Sequence, residues 1–227
     1  MEKIKTLIIS DTHGKHGFID NIYDNYDLCI HAGDASNSKD PHFNLNEMID
    51  FLEWYSSIEH IKHKIYVPGN HDTSVEKGLI DFSKYPNITV LINQSVEING
   101  KVLYGSPITP SFGIGWSYNC KRGQIYDKYW KNIPNNTNIL ITHGPPYGIL
   151  DFTNSGERGL KSVGCKELTT RLLQIKPEAH IFGHLHDEKD VINHGIRSIS
   201  NVDTMFINAS IVNLQGDYKN NGIVMYF

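Results

Sequence analysis

Asp11-Thr-His13, Gly33-Asp34, Gly69-Asn70-His71-Asp72, His143-Gly144 and Gly183-His184-Leu185-His186 gather carboxylate, imidazole and amide side chains at five places in the chain. These donors suit borderline divalent ions such as manganese, iron, zinc or nickel. Asp11 and His13 are one residue apart. In extended backbone, residues i and i+2 point the same way, so both are expected to face a single ion. His184 and His186 have the same spacing and can each serve an ion. A carboxylate has two oxygens, so one Asp can bridge two ions about 3.5–4 Å apart, and Asp34 is the candidate bridge. Asn70 offers a neutral amide oxygen, which limits the negative charge. Taken singly, each cluster also fits an ordinary turn or helix cap; five of them together favour metal binding.

Each cluster follows a short apolar run that reads as a strand: Ile4–Ser10, Leu28–His31, Lys64–Val67, Asn138–Thr142 and His180–Phe182. Helices are expected around Phe18–Tyr26, over Leu45–Ile58 and over Val163–Ile175. In the second of these, Leu45, Met48, Ile49, Leu52 and Tyr55 recur at helical spacing. Strands alternating with helices predict a largely parallel sheet covered by helices. Sites in such sheets form just beyond the carboxyl ends of strands, so the five clusters are expected to converge on one rim. Thr89–Ile92, Ser95–Ile98 and Val102–Gly105 read as short strands with Asn99-Gly100 as a hairpin turn, and more strands are expected from Val191 onward. Thr109–Pro134 is irregular and aromatic-rich, as a loop over a site would be. Trp116 and Tyr147, with Phe112, Tyr118 and Phe152, are candidates to stack on a nucleobase. Core or loop packing is the favoured use of such aromatics, and a homodimer interface is another. Arg158 and Lys161 are candidates for a phosphate contact, against plain solvated charge. His31 is a candidate to support Asp34 from behind.

A chain of 227 residues is expected to form a single domain over 1–227. With 39% hydrophobic and 20% charged residues it has a globular composition that gives no sign of disorder. A formal net charge of -4 lacks the basic footprint of a stable nucleic-acid binder. It leaves an anionic substrate open, because bound cations reverse the charge inside a cleft. Cys29, Cys120 and Cys165 form no C-x-x-C pair, which fits reduced thiols in the cytoplasm. The opening MEKIKTLIISDTHG turns polar too early for a signal peptide. No apolar run approaches the roughly 20 residues that span a bilayer. A soluble cytoplasmic protein with no membrane partner is expected.

The order D-x-H, G-D, G-N-H-D, H-G and G-H-x-H, running from Asp11 to His186, resembles the calcineurin-like metallophosphoesterase superfamily. The resemblance implies an α/β fold of four layers (α/β/β/α), two mixed sheets sandwiched and flanked by helices. It implies two divalent transition-metal ions, manganese first, with iron, zinc, nickel or cobalt also compatible. Asp11, His13, Asp34 and His186 would hold one ion, and Asp34, Asn70, His143 and His184 the other. His31-Ala-Gly-Asp34, Gly105-Ser-Pro107, Thr142-His-Gly-Pro-Pro146 and Gly164-Cys165 further resemble the metallophosphoesterase domain-containing group. That group is similar to class III cyclic nucleotide phosphodiesterases. The chain departs from the protein phosphatases, because Ala-Ser-Asn-Ser follows Gly33-Asp34 in place of the Asp-Arg that those enzymes use to hold phosphate.

The chemistry so implied is hydrolysis of a small phosphodiester, first of all a cyclic nucleotide, by a hydroxide bridging the two ions. His71, directly after Asn70, is placed as the general acid that protonates the leaving alkoxide. Asp72 is expected to hold its imidazole and raise its pKa. Asn70, His71, Trp116 and Tyr147 are the candidate substrate contacts. A phosphomonoesterase or broad-specificity phosphatase is the alternative. A nuclease is disfavoured by the missing basic stripe, and a catalytically silent scaffold by the complete ligand set.

Overall fold

A computed structural model describes residues 3–154 and 159–227. The first half supplies the strands β1 (Lys5–Ile9), β2 (Leu28–His31), β3 (His63–Tyr66) and β4 (Thr89–Val90), with helices α1 (Pro41–Ser57) and α2 (Thr73–Glu76) between them. A hairpin of β5 (Gln94–Ile98) and β6 (Lys101–Ser106) follows. Next come two short paired strands, β7 (Thr109–Pro110) and β8 (Asn119–Cys120), and helix α3 (Ile125–Lys128). The chain continues through β9 (Ile139–Thr142), the pair β10 (Phe152–Asn154) and β11 (Leu160–Ser162), and helix α4 (Lys166–Ile175). It ends with β12 (Ala179–Phe182), β13 (Gly195–Ile199), β14 (Val202–Asn208) and β15 (Ile223–Tyr226).

Two sheets carry the fold. In one, the order is β15-β1-β2-β3-β4, with β1 to β4 parallel and β15 antiparallel at the edge. In the other, the order is β13-β14-β12-β9-β6-β5, with a parallel centre and antiparallel edges. The inner strands are buried on both faces, which is why β1, β2, β9 and β12 are nearly unbroken apolar runs. Alternate residues face opposite ways. Ile8, Ile30 and Ile65 of the first sheet share a core with Leu103, Ile141, Ile181 and Ile207 of the second. The other faces of the same strands pack outward. Leu7, Ile9 and Tyr66 meet Met48, Phe51 and Tyr55 of α1. Leu140, Phe182 and Phe206 meet Leu168, Leu172 and Ile175 of α4. The expected α/β/β/α layering of two mixed sheets is therefore present.

Helix α1 begins one turn earlier than its apolar spacing suggests. Asp40 accepts from the amides of His42 and Phe43, and Pro41 takes the first helical position. Its buried stripe is Asn44, Met48, Phe51, Leu52 and Tyr55, with Leu45 and Ile49 only half buried. The helix expected around Phe18–Tyr26 is instead two 3-10 turns, His16–Phe18 and Asp20–Tyr23. Among the described residues, no helix is long and apolar enough to cross a membrane. All three cysteines are free and buried.

Two buried histidines tie strand ends together in neutral form. Thr142 Oγ1 donates to the Gly144 carbonyl (2.7 Å), so it accepts from His180 Nε2 (2.8 Å). The Gly33 amide donates to His31 Nδ1 (3.2 Å), so His31 Nε2 donates to Thr12 Oγ1 (3.0 Å). His31 thus supports the turn that carries Asp34. Burial lowers each of these histidines from the ordinary 6.5 to about 3. Between those values the unfolded chain takes up protons that the folded chain refuses, so stability falls as pH drops below 6.5. The cost is about 1.4 kcal/mol per pH unit for each group. For metal-free protein, the stability lost between pH 7.5 and pH 5 in urea titrations is expected to be about 2 kcal/mol smaller in His180→Gln. An unchanged loss would show that His180 titrates normally.

Candidate metal centre

Five parallel strands deliver the site. β1, β2 and β3 of one sheet run into Asp11, Asp34 and Asn70, while β9 and β12 of the other run into His143 and His184. Within each sheet, neighbouring loops are stitched to one another. The Asp11 amide donates to Gly33 O (2.8 Å), His13 N to Asp34 O (3.1 Å) and Gly183 N to His143 O (2.9 Å). Gly69 and Gly183 make this approach feasible. A Cβ on Gly69 would overlap Asp34 Oδ1, and one on Gly183 would overlap Asp11 Oδ2 and Ser10 Oγ.

The predicted ligands meet, but the local backbone differs from the extended segments inferred from their spacing. Asp11, His13, Asp34 and His184 all have positive φ (55°, 43°, 55° and 68°). Left-handed backbone at non-glycine residues is strained and is concentrated at functional sites. Here it turns each side chain back over the strand end. His184 and His186 accordingly part company, one toward Asp34 and the other toward Asp11.

Donor atoms fall into overlapping groups in which all lie within 4.8 Å of one another: Asp11 with His13 and His186, His13 with Asp34 and His71, and Asp34 with His143 and His184. Asp34 Oδ2 is 3.2 Å from His143 Nε2 and 4.0 Å from both His13 Nε2 and His71 Nε2. His186 Nε2 is 3.2 Å from Asp11 Oδ1, and His143 Nε2 is 3.0 Å from Asn70 Oδ1. The imidazoles are oriented from behind. His143 Nδ1 donates to Ala32 O (2.9 Å), His13 Nδ1 to Ser36 O (3.0 Å) and His71 Nδ1 to Asn37 O (2.7 Å), so each presents Nε2 to the centre. Buried carboxylates facing imidazoles that turn Nε2 toward them are a donor set that fits divalent transition ions.

The electrostatics agree. Burial would disfavour a charged His143, but the charge of Asp34 and its hydrogen bond outweigh that and raise the pKa to about 9. Burial likewise opposes ionisation of Asp34, and His143, His71 and His13 overcome it, holding the carboxyl well below its usual range. Asp11 is kept ionised against burial mainly by His186. Burial takes His184 down to about 3.

Two expectations need correction. Asp72 does not hold the His71 imidazole, because that ring's Nδ1 is bonded to the Asn37 carbonyl. Fully buried, Asp72 instead accepts from the amides of Asp34 (3.0 Å), Ser36 (3.0 Å) and Gly69 (2.7 Å) and from Ser36 Oγ (2.8 Å). It shapes the turns that bear Asp34 and Asn70. Asp72→Ala would leave those donors buried without an acceptor and is expected to cost about 3–5 kcal/mol in urea unfolding. A loss under about 1 kcal/mol would contradict this role. Tyr147 is not in the pocket with His71. It is 40% exposed in a neighbouring groove, with Lys166 Nζ 4.8 Å above its ring.

Trp116 does line the pocket, 4.5 Å from the His71 ring, beside Phe112, which lies 4.9 Å from His184. Only this tip of Thr109–Pro134 covers the site; Ile125, Trp130 and Ile133 pack into the core under α4. The Ser117 amide donates to Asn70 O (3.1 Å), which pins the tip to the ligand turn. Arg158 lies outside the described residues. Asn44 escaped the sequence reading. Its Nδ2 donates to His71 O (2.7 Å) and Ser36 Oγ (2.8 Å), and its Oδ1 accepts from Ser74 N. A polar residue on the apolar stripe of α1 was the available signal. An apolar cavity of about 140 Å³ between α4 and β14 contains none of these residues.

The sequence profile of the Calcineurin-like phosphoesterase family matches residues 4–188. The chain belongs to this family. It is 32% identical to human Metallophosphoesterase domain-containing protein 1 over 91% of this chain and 68% of that protein. It is 34% identical to a UPF0046 protein of Caenorhabditis elegans over 98% of this chain and 75% of that one. Among solved structures, a Thermus thermophilus protein superposes with a TM-score of 0.64 at 12% identity, covering 92% of this chain and 89% of that one. A dimetal phosphatase from Danio rerio gives 0.54 at 10% identity, covering 92% and 88%. At those identities the superpositions show the shared fold. Family membership and the donor clusters make the chain a metal-dependent phosphoester hydrolase.

Proposed function

We propose that the protein hydrolyses small, nucleotide-like phosphodiesters at a dinuclear metal centre, with cyclic nucleotides as the first class to test. The observation that supports this best is Asp34, whose carboxylate belongs to two adjoining donor groups, one with His13 and His71 and one with His143 and His184. Asp11, His13, Asp34 and His186 would hold one ion and Asp34, Asn70, His143 and His184 the other. Bound there, divalent ions of the manganese type supply Lewis acidity, lowering the pKa of water and neutralising phosphoryl charge.

The chain's own groups do the rest. His71 Nδ1 stays protonated on Asn37 O, so Nε2 is the atom that can give a proton to the leaving oxygen. Asn44 fixes the His71 backbone carbonyl, and Trp116 flanks the ring. Among the described residues lining the pocket there is no lysine or arginine, and Lys39 Nζ lies 3.4 Å over the ring of the pocket residue Trp116. Phe112 and Trp116 offer apolar faces for a base or sugar.

The test is a panel for the Mn²⁺-reconstituted protein: bis-p-nitrophenyl phosphate, p-nitrophenyl phosphate, 3′,5′- and 2′,3′-cyclic nucleotides, and short single-stranded RNA and DNA. Diester or cyclic nucleotide turnover is expected. Turnover of the monoester alone would replace the proposal with a phosphatase.

A further inference from the structure

A groove beside the metal centre carries basic side chains that the reaction described so far leaves idle. It has a volume of about 490 Å³ and reaches from His184 and Phe112 to Arg122 and Lys161. Thr153, His184 and Leu185 line both the metal pocket and this groove, so the two form one continuous surface. Past Arg122 and Lys161 the surface continues onto Tyr147 and Lys166.

The cations differ in how they are held. Arg122 is anchored, its Nη1 and Nη2 donating to the carbonyls of Gly164 (2.9 Å) and Val163 (2.7 Å). A guanidinium has five N–H groups, so most of the fork is left for a ligand. Lys166 is poised over Tyr147. Among the described residues, the lysine ion pairs are Lys101–Glu178, Lys131–Asp127 and Lys219–Asp217, so neither Lys161 nor Lys166 is neutralised by a carboxylate. Among the described residues lining this stretch, Glu167 is the acidic one, and it already accepts from Gly123 N (2.8 Å). In a chain of net charge -4, three clustered cations facing one carboxylate among the described residues, next to an acidic metal pocket, amount to an anion site.

We propose that this groove binds a second phosphate carried on an arm of the substrate, so that the preferred substrate is a phosphodiester bearing a distal phosphate, such as a terminally phosphorylated dinucleotide. The inference rests on the diesterase reading above. The scissile diester sits at the metal pocket, and the distal phosphate sits among Arg122, Lys161 and Lys166.

Hydrolysis of the dithymidine diester TpT by the Mn²⁺-loaded protein is compared with that of its terminally phosphorylated forms, pTpT and TpTp. One phosphorylated form is expected to show kcat/KM about tenfold above TpT, an advantage that shrinks as salt rises. In Lys161→Gln/Lys166→Gln that advantage is expected to fall to about twofold or less, and Lys161→Arg/Lys166→Arg should keep it. Equal rates on all three dinucleotides, or a preference that survives the double Gln change, would overturn the groove assignment. Bis-p-nitrophenyl phosphate separates the two readings. Its hydrolysis without the preference condemns the groove alone, and no hydrolysis of any diester condemns the diesterase reading on which it rests.

Discussion

His71→Ala is expected to slow hydrolysis of a diester with an alkoxide leaving group by about 10²–10⁴-fold, with the metal content of the chain unchanged. Because its Nδ1 is committed to Asn37 O (2.7 Å), the ring can exchange a proton only at Nε2, which looks into the centre 4.0 Å from Asp34 Oδ2. The size of the effect should depend on the leaving group. A p-nitrophenolate departs without needing a proton, so bis-p-nitrophenyl phosphate should suffer much less than a cyclic nucleotide. His71 shares a donor group with His13 and Asp34, which gives the opposing role a clear signature. If the ring were a ligand, the variant would lose metal and would fail equally on every leaving group.

Asp34→Asn is expected to lose activity by about 10³-fold or more whatever the leaving group, and to lose bound metal with it. The carboxylate belongs to two of the donor groups and also accepts from the His71 amide through Oδ1 (2.7 Å). An amide nitrogen in place of one oxygen can ligate nothing on that side, so both halves of the centre are weakened by one atom. A second readout needs no turnover. Asp34 is what lifts His143 to about 9 against burial, so in the metal-free variant that histidine should titrate lower, as followed by its ring NMR signals. Normal metal content and a pH-independent loss of rate would remove Asp34 from its bridging place.

The sequence shows the centre because its clusters are local. Each sits at the end of an apolar run, and short runs closed by polar turns place their last residues at the carboxyl edge of a parallel sheet. The layering was legible for a related reason, since strands apolar on both faces must be covered twice. What could not be read depends on contacts between distant segments. Adjacency suggested that Asp72 orients His71, whereas the Asn37 carbonyl does so from a loop 34 residues earlier. The spacing of Asp11 and His13 suggested extended backbone, but hydrogen bonds to Gly33 and Asp34 hold both residues left-handed. Tyr147 carries the same aromatic signal as Trp116. Trp116 reaches the pocket because Ser117 is tied to Asn70, while Tyr147 is held on the far side of the groove by Thr169, whose Oγ1 accepts from its amide (2.9 Å). Phe18–Tyr26 folds around two 3-10 turns, and Ile19, Ile22 and Tyr26 are its residues that join the core beneath α1.

The most direct measurement is a titration of the metal-free protein with Mn²⁺, following bound metal and diester hydrolysis in the same samples. A dinuclear centre bridged by Asp34 predicts two ions bound per chain, with activity that completes only as the second is filled. Full activity after one equivalent, or two ions bound with no hydrolysis of any diester, would contradict it.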